Sequence, residues 1–558
     1  MSCASAASAF GQAAAPVTVT PPTLRPADTG GHMQVEIPEA GALTPPAGAE
    51  TLSVTLSGAT IEGGFAEVAP QTEAVLAGLR GRRVTLAQIY AAASEIEAIH
   101  ARAGYVLARV AVPAQDLHDG GDLRIVVVDG FIEDIDVSGV SPRVRKVVLA
   151  RTAFLKGRRH LKLGQIEQPL LIAADVPGLS LKSTLVRGGQ PGATRIVLEG
   201  TSQLVSGSVG GDNQLHPSLG TYSVNAQLSF NSLLGLGEQI YGFVSSGYQI
   251  DRIFASDVRE RVLGGGAVFG LGDGRLTINP EATFSRTRPA PDVSAPLTTG
   301  DLRRLSLRLG YTLVRTRQET FGLTASVEQI DETNNVPSFD VSISHDRYMA
   351  ARVGLNYSHT GGPFGSWSAG GTVSQGLGGL GALTLADAAR SGTPFSRQGA
   401  SDGFTKLNVQ MSGVMSPVQA IDLRIYAAGQ STFGKAVFRA EQSTLEGATA
   451  VSAYVGGMTA VDESVTARAE LGGRIALAGG KDPFVLAPYV FAAGGVGAIE
   501  RPTALEPGTI RAAAFGAGAR TSLFRPGLTF AVEYAHGISD FRPIAKADRV
   551  NFSTSLRF

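Results

Sequence analysis

The last residues of the chain alternate between apolar and polar types. The apolar row, which Thr554 interrupts once, consists of Val550, Phe552, Leu556 and Phe558. A period of two places the two types on opposite faces of a β-strand. An apolar edge strand aggregates in water, whereas a closed membrane barrel pairs every strand, with apolar side chains toward lipid and polar ones toward its lumen. This terminal strand, ending in the aromatic Phe558, therefore predicts a β-barrel of the bacterial outer membrane.

The same alternation recurs from about residue 201 onward. It is clearest over residues 304–313, where leucine or tyrosine at every second position alternates with arginine, serine, glycine and threonine. No run reaches the ~18–20 apolar residues of a membrane helix, so a membrane location requires a barrel. A soluble sandwich would show the same alternation, but residues 201–558 accommodate about sixteen strands at roughly 22 residues each, within the range of outer-membrane barrels. The pattern gives eleven strands before a long interruption at residues 430–463 and five after it, and residues 383–402 predict an extracellular loop.

Composition and charge argue against several other classes of function. Lys plus Arg and Asp plus Glu each total 48, so nothing favours a nucleic-acid partner. The eight histidines show no metal-ligand spacing, and the single cysteine, Cys3, excludes an internal disulfide. The glycine-rich stretches at residues 207–211 and 264–266 fall within strands rather than before a helix, which argues against phosphate binding. We therefore expect no cofactor, no metal and no enzymatic activity.

The first 50 residues differ in character from the rest. Residues 1–15 are rich in alanine and serine without a basic region, which predicts the remnant of a signal peptide that starts upstream and is cleaved near residues 13–15. A plain disordered tail is the alternative. Residues 16–50 carry seven prolines and no helical period, so they predict an extended linker rather than a plug helix.

Two small α+β units follow, at residues 51–138 and 139–200. In the first, Thr85 and Gln88 form the capping box of a helix over residues 85–102. Its strands are predicted at residues 51–60, 105–112 and 123–128, with residues 132–137 extending the last strand or forming another. In the second, helices are predicted at residues 144–155 and 163–174, and paired strands at residues 179–187 and 194–199. Pro169 is expected in the first turn of its helix, which would shorten that helix.

An ordered pattern runs through residues 102–115 and 121–139. It comprises a Gly-Tyr, then a Pro-x-Gln, then a strand that ends in an acidic residue and a glycine. The residues concerned are Gly104, Tyr105, Pro113, Gln115, Asp129 and Gly130. This segment resembles the first POTRA domain of two-partner secretion transporters, the hemolysin secretion/activation proteins (ShlB/FhaC/HecB family), which are related to the barrel-assembly insertases. Further similarities to the same family, in its second POTRA domain and first barrel hairpins, lie at residues 170–178, 191–192, 212–213 and 233–238.

The resemblance implies α+β periplasmic POTRA domains at residues 51–138 and 139–200, followed by an all-β transmembrane barrel of about sixteen strands at residues 201–558. It implies a pore that captures one large, β-rich partner protein in unfolded form and exports it from the periplasm to the cell surface without nucleotide hydrolysis. An open POTRA sheet edge suits such capture, because it can add an extended peptide as a further strand. The other implied partners are outer-membrane lipid and the barrel-assembly machinery, for which Phe558 would serve as an address.

Three other functions stay open. A barrel-assembly insertase of the same superfamily usually carries more POTRA domains and keeps an arginine motif in its long barrel loop. A small-solute porin would not need the two POTRA-like units. A surface protease or lipase would need an acid–base or nucleophile cluster, and none is visible in the sequence.

The long interruption departs from the family pattern at two places. The family carries Val-Arg-Gly-Tyr at the tip of this loop, whereas the matching stretch here is Val451, Ser452, Ala453 and Tyr454. In the family, that arginine pairs with the aspartate of a Phe-x-Asp-x-Gly pattern on a lumen-facing strand, for which the matching residues here are Phe491, Ala493 and Gly495. Arginine and aspartate are thus lost together, as expected if the two positions face each other, because losing one partner alone leaves an unpaired buried charge.

We therefore expect the loop to enter the lumen without its usual ion pair, held by Tyr454 and neighbouring packing. The alternative is that the motif aligns elsewhere or that the loop lies outside the barrel. Charged residues on the strands either form a network that steers the partner or line a solvated lumen, and solvation is the default. These residues include Arg304, Arg308, Asp422, Arg424 and Glu533.

Overall fold

The computed structural model describes most of the chain. The described residues are 33–36, 43–247, 249–255, 257–290, 296–362, 365–418, 420–457, 459–476, 484–504, 506–523, 527–541 and 546–558. The predicted signal-peptide remnant lies outside them, as does most of the predicted linker. Within the described part, the chain forms two small α+β domains and a closed β-barrel, which confirms the fold class expected from the sequence.

The first domain packs two helices against a four-stranded sheet. After β1 (Met33–Glu36), its elements are β2 (Ser53–Glu62), α1 (Ala69–Ala77), β3 (Arg83–Thr85), α2 (Leu86–Arg102), β4 (Arg109–Ala111) and β5 (Gly121–Val128), in the sheet order β3-β2-β5-β4. Helix α2 has the predicted capping box: the backbone N of Gln88 donates to the Thr85 hydroxyl at 3.2 Å, and the Gln88 side chain accepts from the Thr85 backbone N at 2.8 Å. Helix α1 was not predicted, because it buries only Thr72 and Leu76 and so has no apolar stripe.

The second domain has the same layered arrangement. Its elements are β6 (Phe131–Val140), α3 (Arg145–Thr152), α4 (Leu163–Ala174), β7 (Leu179–Arg187) and β8 (Ala193–Ser202), in the sheet order β1-β7-β8-β6. Because β6 pairs in parallel with β8, residues 131–138 belong to this domain, and the boundary predicted at residue 138 moves back to Asp129-Gly130. The physical reason is burial, since Ile132 and Ile135 share one apolar core with Leu170 of α4.

The proline in α4 does not shorten the helix. The helix starts at Leu163, where the backbone N of Lys162 donates to the Gln165 side chain at 2.9 Å, and Pro169 lies well inside it. The prediction that this proline marks the first turn is therefore wrong. Proline in a helix interior removes one backbone hydrogen bond, and full burial of the neighbouring Leu170 offsets part of that loss.

The barrel follows directly after the second domain. Its strands are β9 (Val205–Asp212), β10 (Ser223–Asn231), β11 (Gln239–Gly247), β12 (Glu260–Leu271), β13 (Leu276–Thr287), β14 (Thr299–Arg315), β15 (Glu319–Val336), β16 (Val341–His359), β17 (Ser366–Leu377), β18 (Thr405–Val418), β19 (Ile421–Ser431), β20 (Glu463–Gly473), β21 (Ile475–Ala476), β22 (Val485–Ala498), β23 (Thr509–Leu523), β24 (Leu528–Ser539) and β25 (Lys546–Arg557). Segments β20 and β21 are two pieces of one strand, since both pair with β22, so the described residues form sixteen strands. Eleven of these strands precede residues 432–462 and five follow them, in agreement with the alternation pattern.

Strand β25 pairs with β9 and closes the barrel. Gly207 and Phe558 exchange backbone hydrogen bonds, with N···O distances of 2.8 and 3.0 Å. Farther along this seam the side-chain amide of Asn213 continues the ladder, donating to the backbone O of Val550 at 2.7 Å and accepting from the backbone N of Phe552 at 3.1 Å. The last strand therefore closes the wall with the first.

The two faces of the wall differ in polarity. Leu305, Leu307, Val353, Val490 and Phe530 are exposed on the outer face, as expected for side chains that meet lipid. The inner face carries buried polar and charged side chains. Among the described residues, no helix combines the length and the apolar character needed to cross a bilayer.

The second domain is docked onto the strand turns at one mouth of the barrel. Arg315, at the end of β14, donates two hydrogen bonds to the Asp175 carboxylate, at 2.9 and 2.8 Å. Arg317 pairs with Glu167 of α4 at 2.5 Å. Because a two-pronged guanidinium–carboxylate contact is geometrically specific, these pairs fix the domain at the mouth.

Candidate functional site in the barrel lumen

The chain between β19 and β20 lies against the inner face of the wall. We call residues 432–462 the lumen loop, residues 437–446 its stem and residues 451–454 its tip. The stem contacts the wall around β16 and β18, and the tip contacts β20, β24 and β25. The loop therefore enters the lumen and connects separate parts of the wall.

A buried carboxylate, that of Glu441, anchors the stem, and only 2% of this side chain is exposed. Arg352 of β16 donates to its two oxygens, at 2.6 and 3.1 Å. Lys406 of β18 lies 2.6 Å from Oε2, and the hydroxyl of Tyr348 donates to Oε1 at 2.9 Å. Charge-assisted hydrogen bonds are the strong ones in proteins. An anion of the loop is thus held by two cations of the wall.

Aromatic rings surround the same anchor. The ring of Phe438 stacks on that of Tyr348, with centroids 4.5 Å apart. Phe395, from the loop at residues 378–404, meets Phe438 edge-on at 5.2 Å. This stacking removes water from around the ion pairs, which strengthens them.

The loop at residues 378–404, which includes the extracellular loop predicted at residues 383–402, contains α5 (Leu385–Ser391) and folds onto the stem. The backbone N of Ser396 donates to Asp346 of β16 at 2.8 Å, and its hydroxyl accepts from the backbone N of Arg439 at 3.0 Å. The guanidinium of Arg397 beside it is buried and donates to Glu506, between β22 and β23, at 2.7 Å. Three loops are thus joined at the stem.

The tip is held through Ser452. The hydroxyl of this residue donates to Glu533 of β24 at 2.5 Å and accepts from Arg468 of β20 at 2.9 Å. The backbone O of Ser452 accepts from the side chain of Asn551 at 2.9 Å. Arg468 also donates directly to Glu533. The loop therefore contacts the ion pair between Arg468 and Glu533 of the wall through a neutral group, the Ser452 hydroxyl.

The charges around the tip all belong to the wall. Arg468 and Glu470 lie on β20, Arg520 on β23 and Glu533 on β24. The Nε of Arg468 donates to Glu470 at 2.8 Å, and Arg520 donates to the same carboxylate at 2.7 and 2.9 Å. Two arginines thus face two glutamates, so the charges of this network balance without the loop.

Phe491, Ala493 and Gly495 lie beside this network on β22. The guanidinium of Arg468 lies 3.7 Å from the ring centroid of Phe491, an arrangement that stabilises a desolvated cation. Ala493 stands opposite Arg468 in the strand ladder. A Cβ atom on Gly495 would lie 3.4 Å from Leu445 of the stem, so this position admits close packing of the loop. The arginine and aspartate of the family pattern are thus both absent here, and an arginine of the wall, Arg468, contacts the tip instead.

Tyr454 and Ala453 pack against the wall at Gly537 of β24. A Cβ atom on Gly537 would lie 2.8 Å from Cζ of Tyr454 and 2.6 Å from Cβ of Ala453, so a larger residue would push the tip away. Val451 is fully buried in the same cluster. The hydroxyl of Tyr454 is buried without a hydrogen-bond partner among the described residues. Tyr454 thus contributes packing at the tip, whereas the hydrogen bonds come from Ser452.

Several inward-facing charges are paired rather than solvated. Arg304 is buried 4.0 Å from Glu281, and Asp422 pairs with Arg474 at 3.0 Å. Glu533 belongs to the tip network. The default of a solvated lumen face is therefore wrong for these three predicted residues, because each of them pairs with an opposite charge on the wall.

The first part of the POTRA pattern lies at the joint between the two small domains. The hydroxyl of Tyr105 donates to Glu67 at 2.7 Å, a hydrogen bond that lowers the pKa of Glu67 and raises the pKa of Tyr105. The ring of Tyr105 lies 4.8 Å from that of His160 in the second domain. The backbone O of Gly104 accepts from the backbone N of Leu163 at 2.8 Å. These contacts connect the domains.

Asp129 and Gly130 form the connection from one domain to the next. The carboxylate of Asp129 accepts from the backbone N of His160 at 3.0 Å. A Cβ atom on Gly130 would lie 2.1 Å from the backbone O of Leu107, so only glycine fits there. Both residues therefore shape the joint.

Pro113 and Gln115 follow β4 at the edge of the first sheet. The side-chain amide of Gln115 donates to the backbone O of Arg124 at 2.8 Å and accepts from its backbone N at 2.9 Å. It donates also to the backbone O of Pro113, at 3.3 Å. Gln115 thus imitates a strand neighbour of β5.

Sequence reasoning missed two central residues, Glu441 and Arg468. For Arg468 a signal exists, since an arginine between Ala467 and Ala469 in an alternating strand must face the lumen. For Glu441 no local signal exists, because its cationic partners lie 89 and 35 residues away in the chain.

Comparison with known proteins adds independent findings. The family model for the haemolysin secretion/activation proteins ShlB/FhaC/HecB matches residues 192–521, and that for the ShlB-type POTRA domain matches residues 54–130. The outer membrane transporter CdiB of Escherichia coli is 25% identical over 323 residues, which are 56% of this chain and 52% of that protein. The sequence match thus spans about half of the length of this curated relative.

Solved structures share the fold. The structure of CdiB from Escherichia coli superposes with a TM-score of 0.69 at 21% identity, covering 98% of this chain and 94% of that one. BamA from Haemophilus ducreyi lacking POTRA domains 1–3 superposes with a TM-score of 0.51 at 13% identity, covering 90% of this chain and 100% of that one. At these identities the likeness concerns the fold alone.

Proposed function

Since the chain belongs to the haemolysin secretion/activation family ShlB/FhaC/HecB, we propose that it exports one secreted partner protein through its barrel. As a member of this family it is an outer-membrane β-barrel protein. In our proposal the two POTRA domains lie in the periplasm and capture the partner, a large β-rich protein, in unfolded form. The barrel then conducts the partner to the cell surface.

The single observation that carries the proposal is the lumen loop. A pore that conducts a polypeptide needs a polar lumen. A segment that occupies this lumen must be able to move aside, which is possible when only non-covalent contacts hold it. The loop lies in a polar lumen and is held by hydrogen bonds and ion pairs, and its tip leaves a balanced network when it departs. This arrangement supports conduction through the barrel.

The docked second domain supports capture next to the pore. Its contacts through Arg315 and Arg317 keep a sheet that can add an extended peptide at one barrel mouth. Export in this proposal requires no nucleotide hydrolysis. Folding of the partner outside the cell makes the step hard to reverse, because a folded β-rich protein does not re-enter the pore.

Gene deletion tests the proposal. The candidate partner is a large, repetitive, β-rich protein encoded beside this gene, and its amount on the surface and in the medium is measured by immunoblotting. Deletion is expected to remove it from both, and a plasmid copy of the gene restores it. Unchanged export in the deletion strain contradicts the proposal. A loss of several unrelated outer-membrane barrels, with the partner still exported, would instead favour the insertase.

A further inference from the structure

Strand β1 comes from the segment that precedes the first domain, yet it adds to the sheet of the second. It pairs in parallel with β7, with Met33 opposite Leu181 and Glu36 opposite Thr184. We propose that β1 is a removable cover on the edge that receives an extended segment of the secreted partner. This inference rests on the proposed function and adds the place of capture and its regulation.

In the first domain the edge strands β3 and β4 have three residues each, and residues of the same domain bond the backbone of β2 and β5 beyond them. On the β2 side, Arg80 donates to the backbone O of Ala59 at 2.7 Å, and the backbone N of Gly81 donates to that of Leu56 at 2.8 Å. On the β5 side, β4 is short and Gln115 satisfies the next backbone groups. Protection of this kind is how folded proteins prevent unwanted strand addition.

The second domain covers its β6 edge in the same way. Arg145 donates to the backbone oxygens of Ser138 and Val140, at 2.8 and 3.0 Å. The backbone N of Gly157 donates to the backbone O of Ile132 at 2.7 Å. On these three sides of the two sheets, the contacts with the backbone of β2, β5 and β6 thus come from residues of the same domain.

The β7 edge is the exception. Among the described residues, the structure pairs its outer side with β1, a four-residue strand that covers only Leu181–Thr184 of β7 (Leu179–Arg187). A longer incoming strand would form more backbone hydrogen bonds along the same edge. It could also run antiparallel, the slightly more stable arrangement per residue. The greater length of an incoming strand therefore favours its replacement of β1 on the β7 edge.

The tether between β1 and the first domain sets the strength of the cover. A covalently attached strand competes at an effective concentration on the order of millimolar. Short, unrelated peptides are thus excluded from the β7 edge, whereas a long strand of the partner protein displaces β1. Because the same domain is docked through Asp175 and Arg315, displacement happens on a body fixed to the barrel mouth.

Binding of a probe peptide to the full-length protein in detergent tests this inference. The probe is a fluorescein-labelled, lysine-flanked peptide of alternating threonine and valine, followed by fluorescence anisotropy. Gln34→Pro with Val35→Pro removes backbone donors from β1 and is expected to raise the affinity at least about tenfold. Gln34→Ala with Val35→Ala keeps those donors and serves as the matched control.

A reversible lock supplies the opposite arm. In a Cys3→Ser background, Gln34→Cys with Lys182→Cys places two thiols in register across β1 and β7. Oxidation is expected to abolish probe binding and reduction to restore it. Thr184→Cys with Val197→Cys joins β7 to β8 instead and should leave binding unchanged.

Two results would overturn the inference. One is probe affinity in the proline variant equal to that of its alanine control. The other is a disulfide between β1 and β7 that either does not form or forms without effect on binding. These readouts do not use export, so a negative result here leaves the secretion function to be judged by the gene deletion.

Discussion

The stem and the tip of the lumen loop are held by opposite arrangements of charge. At the stem the loop supplies the anion, and Glu441 lies between Arg352 and Lys406 of the wall. At the tip the wall supplies every charge, and the loop adds the hydroxyl and the backbone oxygen of Ser452.

This difference predicts unequal costs of release. Withdrawing Glu441 leaves two wall cations with Glu328 as the remaining carboxylate, and an unpaired buried charge is expensive. Withdrawing Ser452 leaves two arginines and two glutamates that still pair. We therefore expect the tip to detach from the wall at a lower cost in free energy than the stem.

The largest effect is expected from Glu441→Gln. The neutral amide leaves an excess positive charge at the stem, so the free energy of unfolding should fall by about 3–5 kcal/mol. Denaturant titration of the barrel in lipid vesicles measures this, and planar-bilayer recordings should show higher conductance. Glu500→Gln is the control, since Glu500 forms no ion pair with the described residues. Equal unfolding free energies and equal conductance in the two variants would show that Glu441 does not anchor the loop.

Exchanging the tip charges sharpens the comparison. Arg468→Ser leaves Glu533 without its cation and should cost about 3 kcal/mol, while Ser452→Arg brings a second guanidinium against Arg468. The double variant moves the arginine to the loop, so at least about 1 kcal/mol should be recovered relative to the sum of the single variants. The measurement is a double-mutant cycle of unfolding free energies. Strict additivity would show that Ser452 and Arg468 do not interact.

Removing the tip packing should have an intermediate effect. Tyr454→Ala empties the space beside Gly537 and is expected to cost about 2 kcal/mol, at the low end for an aromatic residue because a loop can relax. Conductance should rise and partner export should change with it. Tyr454→Phe keeps the ring and loses a hydroxyl without a described partner, so it should resemble the parent protein. If Tyr454→Ala changes neither conductance nor export, the tip does not depend on this packing.

The smallest effect is expected from Ser452→Ala. It removes two side-chain hydrogen bonds but leaves the wall charges paired, so the loss should be about 1 kcal/mol. The tip should detach more often, seen as brief conductance steps in single-channel recordings. A loss as large as that of Glu441→Gln would contradict the distinction between stem and tip.

Much of the fold followed from short-range patterns. The capping box of α2 and the alternation of residues 304–313 could be predicted because each signal lies within a few residues of the chain. The domain boundary and the pairing of β1 were not, since strand neighbours in these sheets are distant in the chain. The prediction for Pro169 was wrong for a related reason. Burial in the tertiary structure, and not local helix propensity, decides whether a helix tolerates a proline.

The sequence by itself determined a β-barrel with two POTRA-like domains, a loop of anomalous length and the absence of its usual arginine. Only the tertiary structure decided which charged residues hold the lumen loop. These are Glu441 at the stem and Arg468 in the wall, opposite Ala493. The physical reason is that periodicity depends on neighbours two residues apart, whereas an ion pair depends on which strands the barrel brings together. Closure of the barrel creates those neighbours, and no local pattern encodes them.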